Sequence, residues 1–287
     1  MRIIKAILLM LCASTALCAN IPDKEFKRLL GSYRACFLLY SVDEKRLVTA
    51  YNPENYCNTR LSPDSTFKIA ASLMAFDKGI ITQKSVFKWD GVQEGLQEWN
   101  RNQTPHSWLQ YSVVWVTQQL TRQMGLKTIQ HYLNAFHYGN RDFSGDAGMH
   151  NGLTHAWLSS SLKISAMEQM DFLKNMVNGS LKVSPRAVKN TIDNMYLGTL
   201  VNGERLYGKT GAGRNGRNER LPNPSQLRDG WFIGFVEKGN RRFIFVSNLT
   251  DRAVVLPHSS DGQPAFVPYG SQVLKPLVIT LLNAFFS

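Results

Sequence analysis

Residues 63–76 decide the fold: Pro63-Asp64-Ser65-Thr66-Phe67-Lys68-Ile69-Ala70-Ala71-Ser72-Leu73-Met74-Ala75-Phe76. Beyond Pro63-Asp64 the stretch is apolar on nearly every side, the pattern of a helix buried at the centre of a molecule. Ser65 and Lys68 are three residues apart, which puts them on one helical face within reach of each other. A serine hydroxyl is a weak nucleophile unless a base stands beside it. Lysine is ordinarily protonated, but burial disfavours its charged form and can lower its pKa by up to about 3–5 units. Ser65 also opens the helix, where free N–H groups and the dipole favour a developing negative charge. The stretch therefore predicts a helix over 65–78, capped by Gly79, with a nucleophile and its base in the first turn. Alone, S-x-x-K is a weak motif, and its ordinary reading is a capping serine beside a snorkelling lysine.

The weight comes from a second motif. Lys209-Thr210-Gly211, followed by Ala212-Gly213, lies on a predicted strand about 140 residues downstream. A strand edge carrying an ammonium, a hydroxyl and backbone N–H groups can bind one anionic ligand. By itself K-T-G reads as a charged strand exit. S-x-x-K followed by K-T-G, in that order, is the pair shared by penicillin-binding proteins and serine β-lactamases. Where some of those proteins carry S-D-N, this chain has Ser112-Val113-Val114, so a serine remains but the asparagine amide is replaced by apolar Val114.

The elements around these motifs suggest how they meet. A helix is predicted over 21–31, strands over 36–42 and 46–51, and helices over 112–124, 163–178 and from Ser184-Pro185 onward. Strands return over 205–210, 231–236 and 242–249, the last two joined as a hairpin at 237–240. An amphipathic helix over 272–286 ends the chain. The expectation is an α+β fold, with an antiparallel sheet of five to seven strands built from both chain ends. N- and C-terminal helices flank the sheet, and an all-helical subdomain over about 63–197 is inserted. The active site falls in the crevice between sheet and subdomain.

Ser65-Thr66-Phe67-Lys68, Ser112-Val113-Val114, Tyr138-Gly139-Asn140 and Lys209-Thr210-Gly211 together resemble the class D, oxacillinase-type serine β-lactamases, from Cys36 to the last helix. Asp229-Gly230-Trp231-Phe232 and the K-T-G-A-G form resemble the subgroup that hydrolyses isoxazolyl penicillins. The resemblance implies hydrolysis of penicillins, including oxacillin-type ones, and of some cephalosporins, with β-lactam resistance as the outcome. It assigns Ser65 as the acylated nucleophile. Lys68, carboxylated by carbon dioxide to N6-carboxylysine, becomes the general base, and no other cofactor or metal is implied. Ser112 relays a proton, and Trp157 donates its indole N–H to the carbamate. Lys209, Thr210, Gly211 and Ala212 bind the substrate, with the N–H groups of Ser65 and Ala212 as the oxyanion hole. Val114, Leu158 and Phe67 supply the desolvation that keeps Lys68 neutral. Trp99, Trp108 and Leu158 are candidate walls for the substrate side chain, with core packing the plain alternative for the tryptophans. Tyr138-Gly139-Asn140 shapes the cleft.

Two departures stand out. Many family members grip the substrate carboxylate with an arginine shortly before the final helix, and no matching arginine is identifiable here. Ser271 in Tyr269-Gly270-Ser271 is the expected substitute. The arginine-bearing stretch 214–228 after K-T-G has no assigned role.

Composition narrows the remaining classes. At 287 residues, 44% hydrophobic and 19% charged, the chain suits a globular domain with a sizeable core. Residues 1–19 read as a signal peptide, with a short basic start, an apolar run too brief for an anchor, and small residues for cleavage after Cys18 or Ala19. A lipidated Cys18 fits less well. Residues 20–287 are then the catalytic domain, exported to the periplasm without membrane insertion; the sequence leaves the oligomeric state open, with a monomer slightly favoured. Loss of Arg2 and Lys5 lowers the formal charge from +12 to +10. The basic residues are scattered, without a basic helix or aromatic RNA-binding signature, so nucleic acid is not an expected partner. Cys36 and Cys57 remain in the mature chain, and either a disulfide or two buried thiols suits their surroundings. The six histidines, His106, His131, His137, His150, His155 and His258, show no metal-ligand spacing, and G-x-S-x-G is lacking. A cell-wall DD-peptidase and a penicillin-sensing domain share the motif pair. Ser112-Val113-Val114 with Trp157 disfavours the peptidase, and a sensor is tethered to a multi-span membrane region.

Overall fold

In the computed structural model, residues 20–215, 227–253 and 267–287 are described. The expected signal peptide with Cys12 and Cys18, His258 and the middle of the 214–228 stretch lie outside them. Helix α1 (Asp23–Leu30) leads into strands β1 (Tyr33–Ser41) and β2 (Arg46–Tyr51). Helices α2 (Phe67–Asp77), α3 (Pro105–Gln110), α4 (Val114–Ala135), α5 (Gly152–His155), α6 (Ala166–Val177) and α7 (Pro185–Asn194) follow. The chain then returns through β3 (Tyr196–Thr199), β4 (Arg205–Asn215), β5 (Leu227–Lys238) and β6 (Arg241–Asp251), and ends in α8 (Gly270–Phe286).

The six strands form one antiparallel sheet in the order β2-β1-β6-β5-β4-β3. The strand nearest the N-terminus pairs with the last strand in sequence, so both chain ends build the sheet, within the expected five to seven strands. Alternation along β5 explains the layering, because neighbouring side chains point to opposite faces. Trp231, Ile233 and Phe235 face the core shared with α2, α4 and α6, whereas Phe232 and Val236 face the core shared with α1 and α8. Helices thus cover both faces, and the turn that carries Ser65 packs along β4.

Several local signals act differently from the sequence reading. The helix expected from Ser65 opens as a 3-10 turn over Asp64–Thr66, and α2 proper starts at Phe67. Ser112 does not open α4: it sits in the left-handed region at φ 61°, and Val113 is the extended residue before the first helical turn. Gly125, non-helical at φ 74° and ψ 158°, interrupts α4 where the helix is expected to end, and a second helical segment follows directly. The short edge strand β3 and helix α3, with its Thr104–Ser107 capping box, are not anticipated. The cysteine alternatives resolve to a Cys36–Cys57 disulfide, tying β1 to the 3-10 turn before the α2 region.

Candidate active site

Every face of α2 is buried from Phe67 to Phe76, so Lys68 has nowhere to carry its amine into water and is 0% exposed. Its Nζ lies 3.0 Å from Ser65 Oγ. Burial, then the nearby Lys209 charge, hold the Lys68 amine well below the ordinary lysine range, with Asp64 opposing. Ser65 itself is half-buried. A hydroxyl facing a neutral amine at that distance can lose its proton to it.

Strand β4 closes one side. Lys209 is 3% exposed, and its Nζ donates to Ser112 Oγ at 2.8 Å and to the Thr210 carbonyl at 3.0 Å. Burial, followed by repulsion from Lys275, pulls the Lys209 pKa down to about 7. β3 pairs with β4 only through Arg205–Tyr207. The backbone from Lys209 onward therefore lacks a strand neighbour on that side among the described residues, and it runs along the turn that carries Ser65. Gly211 and Gly213 permit this closeness, since a Cβ at either would press on residues 63–66. Two polar pairs, Lys68–Ser65 and Lys209–Ser112, thus stand here, with Lys209 close enough for its charge to bear on the Lys68 amine.

The opposite wall comes from the loop before α6. Trp157 is 0% exposed and stacks on Phe67 with ring centres 5.3 Å apart, and on Phe143 at 5.9 Å. Its indole N–H has no hydrogen-bond partner among the described residues. A buried donor left unpaired is costly, so an acceptor is implied there. Val114 and Leu158 are half-buried, and Leu158 packs against the same core. Tyr138-Gly139-Asn140 braces this loop. The Asn140 side chain donates to the Ser161 carbonyl at 2.8 Å and accepts the Lys163 N–H at 2.9 Å. Gly139 stands at φ 52° where a Cβ would overlap the Lys163 carbonyl.

Other expected residues lie elsewhere. Trp108 is fully buried and donates to Thr117 Oγ1, a core role. Trp99 is half-buried and donates to the Tyr111 carbonyl, next to Ser112. Ser271 opens α8 beside Gly230, which pairs with Ala212, but no hydrogen bond among the described residues joins its side chain to the Ser65 cluster. Arg228 is committed to a bidentate pair with Asp251 and to the Pro268 carbonyl. Sequence reading does not single out Asp64, Ser159, Lys163 or the acidic role of Asp229, which gather behind the nucleophile. An acid between a proline and the nucleophile, at the mouth of an apolar helix, is the signal that could have found the first of them. Among the described residues no group of His, Cys, Asp or Glu could hold a metal ion, and no helix is long and apolar enough to cross a membrane.

Comparison with known proteins agrees with this geometry. Residues 35–273 match the penicillin binding protein transpeptidase domain family. β-Lactamase OXA-1 of Escherichia coli is 50% identical over 223 residues, covering 77% of this chain and 78% of that protein. The regulatory protein BlaR1 of Bacillus licheniformis is 33% identical over 234 residues, 80% of this chain but 36% of that protein. The crystal structure of the class D β-lactamase OXA-427 superposes with a TM-score of 0.71 at 33% identity, covering 87% of this chain and 99% of that one. With a serine held against a buried lysine, a K-T-G strand and these relatives, the chain belongs to the class D serine β-lactamases.

Proposed function

We propose that the protein hydrolyses β-lactams, oxacillin-type penicillins and some cephalosporins among them, through an acyl-enzyme on Ser65, and so confers β-lactam resistance from the periplasm. The observation that carries this reading is the 3.0 Å approach of a fully buried lysine amine to a serine hydroxyl at a helix start. Ser65 Oγ attacks the lactam carbonyl carbon as its proton passes to the side chain at position 68. The carbonyl oxygen gathers negative charge against the N–H groups of Ser65 and Ala212. The C–N bond then breaks, and the departing nitrogen takes a proton through Ser112, whose hydroxyl is held by Lys209. Lys209 and Thr210 bind the substrate carboxylate, which Ser271 also supports. Water finally attacks the Ser65 ester and releases the ring-opened acid.

The residues fit a carboxylated Lys68. Carbon dioxide adds to a neutral amine, and burial favours the neutral form of this one. The unpaired Trp157 indole N–H, stacked on the neighbouring Phe67, supplies a donor that suits an anion. The carboxylated side chain would supply an anionic base beside Ser65, serving both acylation and deacylation.

Purified protein should turn over a chromogenic cephalosporin many times per molecule, and Ser65→Ala should abolish this while preserving the fold. Mass spectrometry after quenching with a poor substrate should show the adduct on the peptide containing Ser65. A single stoichiometric burst would instead indicate a peptidase or a sensor, and an adduct on another peptide would overturn the assignment.

A further inference from the structure

Asp64, the residue just before Ser65, is 1% exposed and adopts the left-handed region at φ 46°. Its Oδ1 accepts the Ser159 N–H at 3.1 Å and the Ser159 hydroxyl at 3.3 Å. Ser159 Oγ in turn accepts the Arg214 N–H at 3.0 Å, where β4 leaves the cleft. One short side chain therefore joins three separate pieces: the turn bearing Ser65, the loop bearing Trp157 and Leu158, and the strand bearing Lys209 to Ala212. Gly213 belongs to the same arrangement, since a Cβ there would overlap both carboxylate oxygens and Ser159 Oγ. The other oxygen, Oδ2, is buried with no hydrogen-bond partner among the described residues. Retaining an acid at such a cost needs a reason beyond packing.

We infer that Asp64 is a positioning residue for acyl transfer, holding the Trp157 loop and the β4 exit at the spacing around Ser65 that attack requires. It touches no substrate and works through Ser159. Misplacement of reacting groups by about 1 Å can cost about 100-fold in rate, and among the described residues no other side chain spans the three pieces through Ser159. The inference rests on Ser65 being the acylated residue.

The test measures the pre-steady-state acylation rate with a chromogenic cephalosporin in the wild type, Asp64→Ala, Asp64→Asn, Ser159→Ala and Asp64→Ala/Ser159→Ala. Asp64→Ala should lower the rate at least about 10-fold, whereas Asp64→Asn, which keeps an acceptor oxygen for Ser159, should restore most of it. Ser159→Ala should give a smaller loss, and the double variant should be no worse than Asp64→Ala alone, because both break one link. Absence of an adduct on the Ser65 peptide in the quenched wild type would defeat the acyl-enzyme reading itself. A wild-type adduct on Ser65 with unchanged acylation in Asp64→Ala, or equal losses in the alanine and asparagine variants, would overturn this inference alone. If Asp64→Ala does not fold, Ser159→Ala decides: an acylation rate equal to the wild type overturns it.

Discussion

The Lys209 amine stands 2.8 Å from Ser112 Oγ, so a strand residue and a residue of the helical layer meet across the cleft. Burial first, then Lys275, pull the Lys209 pKa down to about 7, and Lys209 is the cation proposed to bind the substrate carboxylate. An amine with a depressed pKa is charged below that value and neutral above it. For substrates with a free carboxylate, kcat/KM should therefore fall on the alkaline side with an apparent pKa near 7, while an esterified substrate should lack that limb. Lys209→Ala should lower kcat/KM for the carboxylate substrate about 10- to 100-fold, the scale of one charge-assisted hydrogen bond. Equal losses on both substrates would show that Lys209 does not read the carboxylate.

How much of this was legible in the sequence follows from what each signal depends on. Ser65 and Lys68 could be paired because helical spacing is local, and their burial followed from the uniformly apolar residues around them. The sheet was legible because alternating runs stood at both chain ends. Asp64 was not, because its contact lies 95 residues away at Ser159 and leaves no periodic trace. Ser112 is legible as a residue but not in its place ahead of the helix, since a left-handed residue before a helix has no local marker when it is neither glycine nor asparagine. The Cys36–Cys57 choice also needed three dimensions.

The buried acids make stability depend on pH. Asp64 and Asp229 are both raised from 3.8 to about 7, by burial first; repulsion from Asp229 adds to the shift at Asp64. Lys163 and Ser159 oppose the shift at Asp64, while Lys163 and the Thr250 hydroxyl oppose it at Asp229. A folded pKa above the unfolded one stabilises fully below about pH 4, and that stability is lost as pH rises through 7. Asp64→Asn removes one of these groups. Thermal melts from pH 5 to 8 should show the variant gaining on the wild type as pH rises, by up to about 1.4 kcal/mol per unit. Parallel curves would show that ionised Asp64 carries no penalty.

The Cys36–Cys57 bridge closes a loop between residues 21 apart and is fully buried at both ends. A loop of this size stabilises by about 3 kcal/mol in chain-entropy terms. Cys57→Ser should lower the midpoint of unfolding measurably, yet leave turnover at 25 °C nearly intact, because neither cysteine makes a hydrogen bond to Ser65, Lys68, Ser112 or Lys209. Melts of the variant and of wild type with and without reductant would check this. A large loss of kcat at a temperature where the variant remains folded would show that the bridge shapes the site.

Trp157 allows packing and hydrogen bonding to be separated at the lysine. Its ring stacks on Phe67 and Phe143, while its indole N–H lacks a partner among the described residues. Trp157→Phe keeps an aromatic face and removes only the donor, whereas Trp157→Ala removes both. If the N–H holds a carboxylated Lys68, Trp157→Phe should fold with near wild-type stability but need more bicarbonate for half-maximal activity. Because protonation of the amine expels carbon dioxide, wild-type activity should fall in degassed, mildly acidic buffer and return with bicarbonate. Labelled bicarbonate should give one carbamate carbon signal in the wild type, a weaker one in Trp157→Phe and none in Lys68→Ala. Deacylation should slow more than acylation in both tryptophan variants, so that acyl-enzyme accumulates. Full activity indifferent to bicarbonate, with no carbamate signal, would leave an uncarboxylated Lys68 as the base. The unpaired indole N–H would then need another acceptor.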